Sequence, residues 1–344
     1  MARERRPGAV SLTDVAQRAG VSPKTVSNVV HGVPRMSADT RDRVAAAIRD
    51  LGYRPNLAAR NLRRGRTGLI ALAVPELHVP YFAELATLVI DAAQERGYTV
   101  LIDQTEQDRD RELALVAGTV ARMVDGIILS PIALRPADLK KRSDTTPIVL
   151  LGERIAPGTA DHVAIDNSAA ARAATEHLIG LGHRRIAAIG AQPTTPMTAG
   201  GLRLTGYRAA LRAAGIPVRR ELIVPAPTFF REDGAVAMRT LLDRDVHPDA
   251  VFCFSDLLAI GALRILQDRG LRAPEDLALV GFDDIEDGRY SIPRLTTVAP
   301  DKPALAAGAV ELVLRRIEGD ERPPQNVIVP ATLRIRESCG GLSA

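Results

Sequence analysis

The sequence lacks the features that identify membrane proteins, disulfide-stabilised secreted proteins and many metalloenzymes. Its apolar runs all fall short of the roughly 18 residues that a membrane-spanning helix needs. The two cysteines, Cys253 and Cys339, and the six scattered histidines have no disulfide-framework or metal-ligand spacing. The basic N-terminus is not followed by the apolar segment of a secretory signal, so we expect a cytoplasmic protein without a membrane partner.

Motifs of the common α/β enzymes are missing as well. No GxGxxG follows a predicted strand, and neither GxxxxGK[ST] nor GxSxG occurs. The acidic residues considered below have no nucleophile or metal set beside them. We therefore expect a binding protein with no catalytic residue and no cofactor. A solute-binding protein and an enzyme on a doubly wound fold stay as alternatives.

Positive charge is concentrated at one end of the chain. Residues 1–66 contain 14 Arg or Lys against 5 Asp or Glu, a net charge of +9, whereas residues 67–344 have a net charge of −5. A small basic segment joined to a mildly acidic body is typical of a polyanion-binding module attached to a second function. We therefore expect one domain over 1–66 and another over 67–344.

The basic segment contains the signals of two short helices joined by a tight turn. Thr13 is expected to cap a helix over residues 14–19, and Gly20 to end it. Ser22 then caps a second helix, with Pro23 at the first position, where the missing N–H does no harm.

The second helix has two unlike sides. Its apolar residues are Val26, Val29 and Val30, whereas Lys24, Ser27 and Asn28 share the opposite side. This pattern predicts a helix-turn-helix whose polar face fits the DNA major groove.

A third helix and a basic hinge are predicted to follow. Ser37 starts the helix "ADTRDRVAAAIRDLG", which closes a three-helix core before Gly52. Residues 56–64 are too few for a helix that is stable alone, and their arginines repel each other. We expect this hinge helix to become ordered when DNA phosphates neutralise it.

The succession "SLTDVAQRAGVSPKTVSNVVHG", "SADTRDRVAAAIRDLGYRPN" and "AARNL" resembles the lactose/galactose repressor (LacI/GalR) family. The resemblance implies that Pro23, Lys24 and Asn28 read bases and that Leu62 enters the minor groove. Phosphate contacts are implied for Thr25, Ser37 and Thr40. The full predicted DNA-binding set is Pro23, Lys24, Thr25, Ser27, Asn28, Ser37, Thr40, Leu62 and Arg63.

From residue 68 onward, apolar strands alternate with helical stretches. Continuous apolar strands separated by helices predict parallel sheets covered on both faces, and more than ten candidates predict two such sheets. Doubly wound sheets bind ligands at the carboxyl ends of their strands. The polar and aromatic residues at these ends are Tyr81, Phe82, Glu153, Asp166, Arg203, Ser255, Asp256 and Asp283.

Carboxylates, an arginine and aromatic rings together suit a polyhydroxylated ligand, which takes paired hydrogen bonds and ring stacking. Any single acid in this set can also be interpreted as a helix N-cap. For Asp256, the sequence favours a ligand contact and an N-cap equally.

The body resembles the family's effector core, which is similar to periplasmic sugar-binding proteins and consists of two α/β subdomains. By resemblance, "GLRLTGY" places Arg203 on the effector, "GFDDIED" places Asp283 there, and "CFSDLLAIGAL" places Ser255 and Asp256 at the cleft. Phe229 matches an aromatic residue that stacks on the effector in purine-binding members.

The resemblance implies a repressor of carbohydrate-utilisation genes that binds a near-palindromic operator and responds to a sugar or sugar derivative. A purine or nucleoside sensor is the alternative. The extra C-terminal helix of tetrameric members is missing from the sequence, so we expect a homodimer.

Overall fold

The computed structural model describes residues 10–30, 36–53, 66–118, 123–153, 155, 158–192 and 197–340. The chain divides into two compact units, Met1–Thr67 and Gly68–Ala344. The first unit contains the predicted helix-turn-helix, and the second contains the predicted α/β body.

The described part of the first unit consists of helices α1 (Leu12–Ala19), α2 (Pro23–Val30) and α3 (Ala38–Leu51). The predicted cap of α1 at Thr13 is wrong, because Ser11 occupies the N-cap. Ser11 Oγ accepts a hydrogen bond from the Asp14 amide at 3.3 Å, and the Asp14 carboxylate accepts one from the Ser11 amide at 2.7 Å. This reciprocal pair satisfies two helix N-terminal donors and moves the start of α1 one residue before Thr13.

Small apolar side chains form the core of this unit: Val15, Ala16, Ala19, Val26, Val44 and Ala47. Gly20 ends α1 in the left-handed conformation, with φ of 65°, which glycine adopts at little cost. The tight turn lets α1 and α2 share one core while Lys24 on α2 stays exposed.

The second unit alternates strands and helices along most of its length. Its strands are β1 (Leu69–Val74), β2 (Thr99–Gln104), β3 (Gly126–Leu129), β4 (Ile148–Leu151), β5 (Asp161–Ile165), β6 (Ile186–Ala191), β7 (Ile223–Pro225), β8 (Ala250–Cys253), β9 (Ala278–Phe282), β10 (Thr296–Pro300), β11 (Asn326–Val329) and β12 (Ala331–Arg334). Its α-helices are α4 (Pro80–Glu95), α5 (Arg109–Val116), α6 (Pro136–Lys140), α7 (Asn167–Gly180), α8 (Ala199–Ala213), α9 (Arg231–Leu242), α10 (Asp256–Asp268), α11 (Asp287–Tyr290) and α12 (Lys302–Ile317).

The strands form two six-stranded sheets, in the orders β11-β5-β4-β3-β1-β2 and β12-β10-β9-β8-β6-β7. Their neighbours pair in parallel, except that β10 and β12 pair antiparallel at the edge of the second sheet. Interior strands such as β3 and β8 are buried throughout, because helices cover both faces of a parallel sheet. The prediction of two doubly wound sheets is confirmed.

The chain passes between the two sheets at three places. Asp166 connects β5 to α7, Asp301 connects β10 to α12, and Pro330 connects β11 to β12. Helix α7 packs against β10 and β12, whereas α12 packs against β3, β4 and β5. The Asp301 amide donates to the Pro330 carbonyl at 3.1 Å, which joins two of the crossings side by side. Strand β11 therefore completes the first sheet and β12 the second.

Within the described residues, no helix combines the length and the apolar composition needed to cross a bilayer.

Candidate functional site

A cavity of about 240 Å³ lies where the carboxyl ends of the two sheets meet. This volume is just below the range of roughly 300–1,000 Å³ found for drug-sized ligands, so the cavity suits a small molecule. Polar residues that follow strands line it: Glu76, Gln107, Ser130, Glu153, Asn167, Gln192, Thr228, Ser255 and Asp283. The cavity thus occupies the edge at which doubly wound sheets bind ligands.

Arg203, on the first turns of α8, is the centre of a polar cluster in this cavity and is 6% exposed. Its Nε donates to Asn167 Oδ1 at 2.7 Å, and its Nη1 donates to the Phe254 carbonyl. Its Nη2 lies 3.6 Å from Asp283 Oδ1. The guanidinium carbon also lies 3.5 Å from the centroid of the Phe282 ring, a stacking that a planar guanidinium allows. The cation is therefore fixed in position before any ligand binds.

The GLRLTGY motif places Arg203 through close helix packing. A Cβ atom at Gly206 would lie 2.1 Å from the Ser168 carbonyl oxygen, so only glycine lets α8 approach α7 so closely. The buried Tyr207 hydroxyl donates to the Ile186 carbonyl at 2.7 Å, which ties α8 to the start of β6. The motif thus combines one cavity residue with two residues that fix its helix.

Two carboxylates flank the arginine. Asn167 Nδ2 donates to Glu153 Oε2 at 2.9 Å, so Asn167 connects Glu153 to Arg203. Burial raises the pKa of Glu153. Burial also raises the pKa of Asp283 to about 6, although the charges of Arg203 and Lys302 partly offset the rise. One cation between two acids suits paired hydrogen bonds to the hydroxyls of a polyol.

Backbone strain occurs at two places around the cavity. Asp283 and Asp284 have φ of 113° and 47°, and Glu106 and Gln107 have φ of 54° and 59°. A non-glycine residue in such a conformation costs about 1–3 kcal/mol and persists only where its surroundings hold it. Arg336 Nη2 holds the Asp284 carboxylate at 2.5 Å. Two of these four residues, Gln107 and Asp283, line the cavity itself.

Aromatic rings form the apolar walls. Tyr81 and Phe82, at the start of α4, meet edge to face with ring centroids 5.3 Å apart. Phe229 and Phe230 line the cavity from the second sheet. Burial, with a smaller contribution from the Asp283 charge, raises the pKa of Tyr81, so its hydroxyl keeps its proton and can donate a hydrogen bond.

The structure brings seven of the nine predicted effector residues together: Tyr81, Phe82, Glu153, Arg203, Phe229, Ser255 and Asp283 line the cavity. Ser255 has a second task, since its Oγ accepts from the Leu258 amide at 3.1 Å and donates to the Phe229 carbonyl at 3.3 Å. It therefore caps α10 while it holds the loop that carries an aromatic wall.

The structure places Asp166 and Asp256 away from the cavity lining. Asp166 is exposed, and its carboxylate accepts from the Ala169 amide at 2.8 Å as the N-cap of α7. Asp256 is fully buried and accepts from Thr297 Oγ1 at 2.6 Å and from the Ile285 amide at 3.0 Å. Burial raises the pKa of Asp256 well above its usual range. Both carboxylates accept hydrogen bonds from within the protein, and neither acid lines the cavity.

Sequence reasoning missed six of the polar residues that follow strands and line the cavity: Glu76, Gln107, Ser130, Asn167, Gln192 and Thr228. Each lies one to three residues beyond a strand, so the rule that selected Glu153 and Asp283 would also have found them. Among the described residues, no three His, Cys, Asp or Glu side chains lie close enough together to hold a metal ion.

The predicted DNA-binding residues that the structure describes lie on α2 and at the start of α3. Pro23 and Lys24 are exposed, and Thr25, Ser27 and Asn28 are partly exposed along α2. Thr25 Oγ1 lies 2.8 Å from Ser22 Oγ, which also accepts from the Thr25 amide at 3.1 Å. Ser37 caps α3 in the same way through Thr40.

Two predicted DNA contacts, Leu62 and Arg63, lie outside the described residues together with the rest of the proposed hinge helix. Their roles stay predictions.

Comparison with known proteins agrees with both units. Residues 11–56 match the family model for bacterial regulatory proteins of the lacI family, and residues 175–339 match the periplasmic binding protein-like domain. The chain is 38% identical to the HTH-type transcriptional regulator CelR of Thermobifida fusca, over 98% of this chain and 100% of that protein.

Solved structures show the same likeness. The CelR–cellobiose complex is 35% identical with a TM-score of 0.70, and the match covers 96% of this chain and 99% of that one. The Lac repressor dimer bound to operator and the anti-inducer ONPF is 27% identical with a TM-score of 0.83, at the same coverage. These likenesses confirm the family predicted from the motifs of residues 1–66. The chain belongs to the LacI family of bacterial regulatory proteins and is an effector-responsive, DNA-binding transcriptional regulator.

Proposed function

We propose that the protein is a cytoplasmic repressor of carbohydrate-utilisation genes, without catalytic activity, whose effector is a sugar or sugar derivative. The observation that carries this proposal is the buried Arg203, held between Asp283 and the Asn167–Glu153 pair. Fixed donors and acceptors on both sides of a cavity match the alternating donor and acceptor capacity of sugar hydroxyls.

The aromatic walls support the same class of ligand. Sugar rings present C–H faces that pack on aromatic side chains, and Tyr81, Phe82 and Phe229 offer such surfaces beside the polar cluster. The CelR neighbour, whose fold this chain shares, is described as a complex with cellobiose.

The helix-turn-helix supports operator binding. The polar side of α2, with Lys24 exposed and Ser27 and Asn28 partly exposed, has the size and the chemistry for base edges in the major groove. A homodimer places two such helices in successive grooves of a near-palindromic site. Tyr290 and Ile292, 78% and 96% exposed, are large apolar side chains that suit contact with a second copy.

Effector and operator affinities are then coupled through the two subdomains. A sugar that binds between the sheets favours one arrangement of the subdomains. That arrangement changes how the two helix-turn-helix units of a dimer bind DNA. Such coupling is reciprocal and typically amounts to about 1–3 kcal/mol.

Calorimetry with a panel of sugars tests this proposal. Arg203→Ala removes a charge-assisted hydrogen bond, so effector affinity is expected to fall by about 1.5–3 kcal/mol while operator affinity without effector stays unchanged. Arg212→Ala, on an exposed position of the same helix, is the matched control and is expected to bind as the wild type does.

Wild-type protein that binds purines or nucleosides and no sugar would favour the alternative, a sensor of a non-sugar ligand. Unaltered sugar binding by Arg203→Ala would place the effector elsewhere.

A further inference from the structure

The cavity is longer than the Arg203 cluster. On the first sheet it extends from Glu153, after β4, to Gln107, after β2, and these strands are three neighbours apart in the sheet order. On the second sheet it extends from Asp283, after β9, to Thr228, after β7, again three neighbours apart. Neighbouring strands lie about 4.8 Å apart, so the first and last strand of each of these sets end roughly 14 Å apart. This exceeds the length of one sugar ring.

The end remote from Arg203 contains a second polar group. Glu76, after β1, lines the cavity and is 15% exposed. Its Oε1 accepts from Gln107 Nε2 at 2.9 Å. Its Oε2 has no hydrogen-bond partner among the described residues, and His78 Nε2 lies 3.5 Å away, beyond a normal hydrogen bond. The carboxylate, which has about four acceptor positions, thus uses few of them within the protein.

A buried acceptor without a donor is costly, so a ligand that supplies a donor there is favoured. Because Oε2 itself is shielded, a ligand hydroxyl reaches it only when the carboxyl group turns about its last bond, which is a soft torsion.

This end is also closed by an aromatic contact. The His78 ring, on the loop that carries Glu76, stacks on Phe230 from the second sheet, with ring centroids 5.3 Å apart and planes at 25°. Phe230 also lines the cavity, so an aromatic ring and the Glu76 carboxylate both lie beside His78 at this end. A carboxylate beside an aromatic face is the combination already found at the Arg203 end.

The charges of the lining restrict the ligand further. Arg203 is the one cationic side chain among the described lining residues, and it is already paired with Asp283. At the Glu76 end the lining has a negative charge and no Arg or Lys, and the basic group beside it is the His78 imidazole, 3.5 Å from Glu76 Oε2. A phosphate or carboxylate at that end would meet repulsion, whereas neutral hydroxyl donors would not.

We propose that Glu76, oriented by Gln107, forms a second subsite that binds the hydroxyls of a second sugar ring, so that the effector is a neutral disaccharide or longer glycoside. This inference rests on the proposed sugar response. It assigns Glu76 as the residue that separates such ligands from monosaccharides and sugar phosphates.

The test is calorimetry on the full-length protein with cellobiose, maltose, lactose and trehalose, each compared with glucose and glucose 6-phosphate. We expect the best disaccharide to bind at least tenfold more tightly than glucose, and glucose 6-phosphate not to bind. Glu76→Gln keeps the shape of the side chain and removes its charge. It is expected to weaken that disaccharide about tenfold or more and to leave glucose affinity unchanged.

Gln107→Ala is expected to have a smaller effect in the same direction, because it frees the carboxylate without removing it. Glu106→Gln is the matched control, since Glu106 is exposed, pairs with Arg111 and does not line the cavity. Melting curves of each variant show whether a loss of affinity comes from unfolding.

Equal losses for glucose and the disaccharide in Glu76→Gln, or no loss for either, would overturn the second subsite while leaving the sugar response intact. Failure of every sugar to bind the wild-type protein would overturn the proposed function and this inference together.

Discussion

At the scale of single residues, Asp283 combines strain, burial and contact with the ligand cavity. Its φ of 113° is unfavourable for any residue with a side chain, and burial raises its pKa from 3.8 to about 6. Arg203 and Lys302 lower this pKa, whereas Glu84 and Glu153 raise it further. Between about pH 4 and 6 the folded state keeps a proton that the unfolded chain has lost. This group therefore opposes folding increasingly as the pH rises from about 4 to about 6, and by a constant amount above that.

Effector binding should have the opposite dependence on pH, because the ionised carboxylate accepts the stronger hydrogen bonds. We expect affinity for the effector to be constant above pH 7 and about tenfold lower at pH 5. Calorimetry of Asp283→Asn over the same range should give a weaker and nearly flat profile. A transition near pH 6 that persists in Asp283→Asn would assign the titration to another group, with Glu153 the first to examine.

At the scale of elements, Glu112 shows how a helix holds a loop of the cavity. It lies on α5, is fully buried, and its carboxylate accepts from the amides of Ile132, Ala133 and Leu134 at 2.8–3.2 Å. These amides belong to the loop after β3, which lines the cavity through residues 130–132. A single buried charge thus satisfies three backbone donors that have no strand to pair with.

Glu112→Gln should disturb this loop without touching the ligand directly. The amide replaces one acceptor oxygen by a donor, so buried N–H groups lose partners, and we expect a loss of about 2 kcal/mol or more in the free energy of unfolding. Denaturant unfolding measures the loss, with exposed Asp110→Asn on the same helix as the control, expected within about 0.5 kcal/mol. A midpoint equal to that of the control would mean that the loop is held by other contacts.

At the scale of the whole molecule, charge and ligand chemistry belong to different units. Residues 1–66 carry a net charge of +9, and the cavity lies within Gly68–Ala344. DNA binding should therefore depend on the first unit and effector binding on the second.

Salt and truncation test this separation. For the full-length protein, the logarithm of the operator binding constant should fall linearly with the logarithm of the salt concentration, with a slope of about −0.9 per neutralised phosphate. Residues 68–344 alone should bind the effector and leave operator DNA unshifted in a gel at moderate salt. If residues 68–344 alone still shifted the operator, DNA binding could not be assigned to the first unit.

The local sequence predicts much of this protein's secondary structure. The helix signals at Gly20, Ser22 and Ser37 depend on neighbours within about four residues, so composition and spacing were enough to locate the helix-turn-helix. The alternation of apolar strands and helices likewise predicted two covered parallel sheets. The prediction at Thr13 is wrong although the signal is local, because Ser11 and Asp14 form a capping box only three residues apart.

The tertiary structure decided which polar residues at strand ends share the cavity. Asp256 and Asp283 follow neighbouring strands and look alike in sequence. Asp256 nevertheless lies in the core, where it accepts a hydrogen bond from Thr297. Asp283 instead lies at the cavity beside Arg203. The pairing of Lys302 with Glu84, 218 residues apart, also depends on chain crossings that no local pattern records. Caps and strands follow from short-range sterics and hydrogen bonds, whereas the cavity follows from contacts between distant segments, which exist only once both sheets are packed.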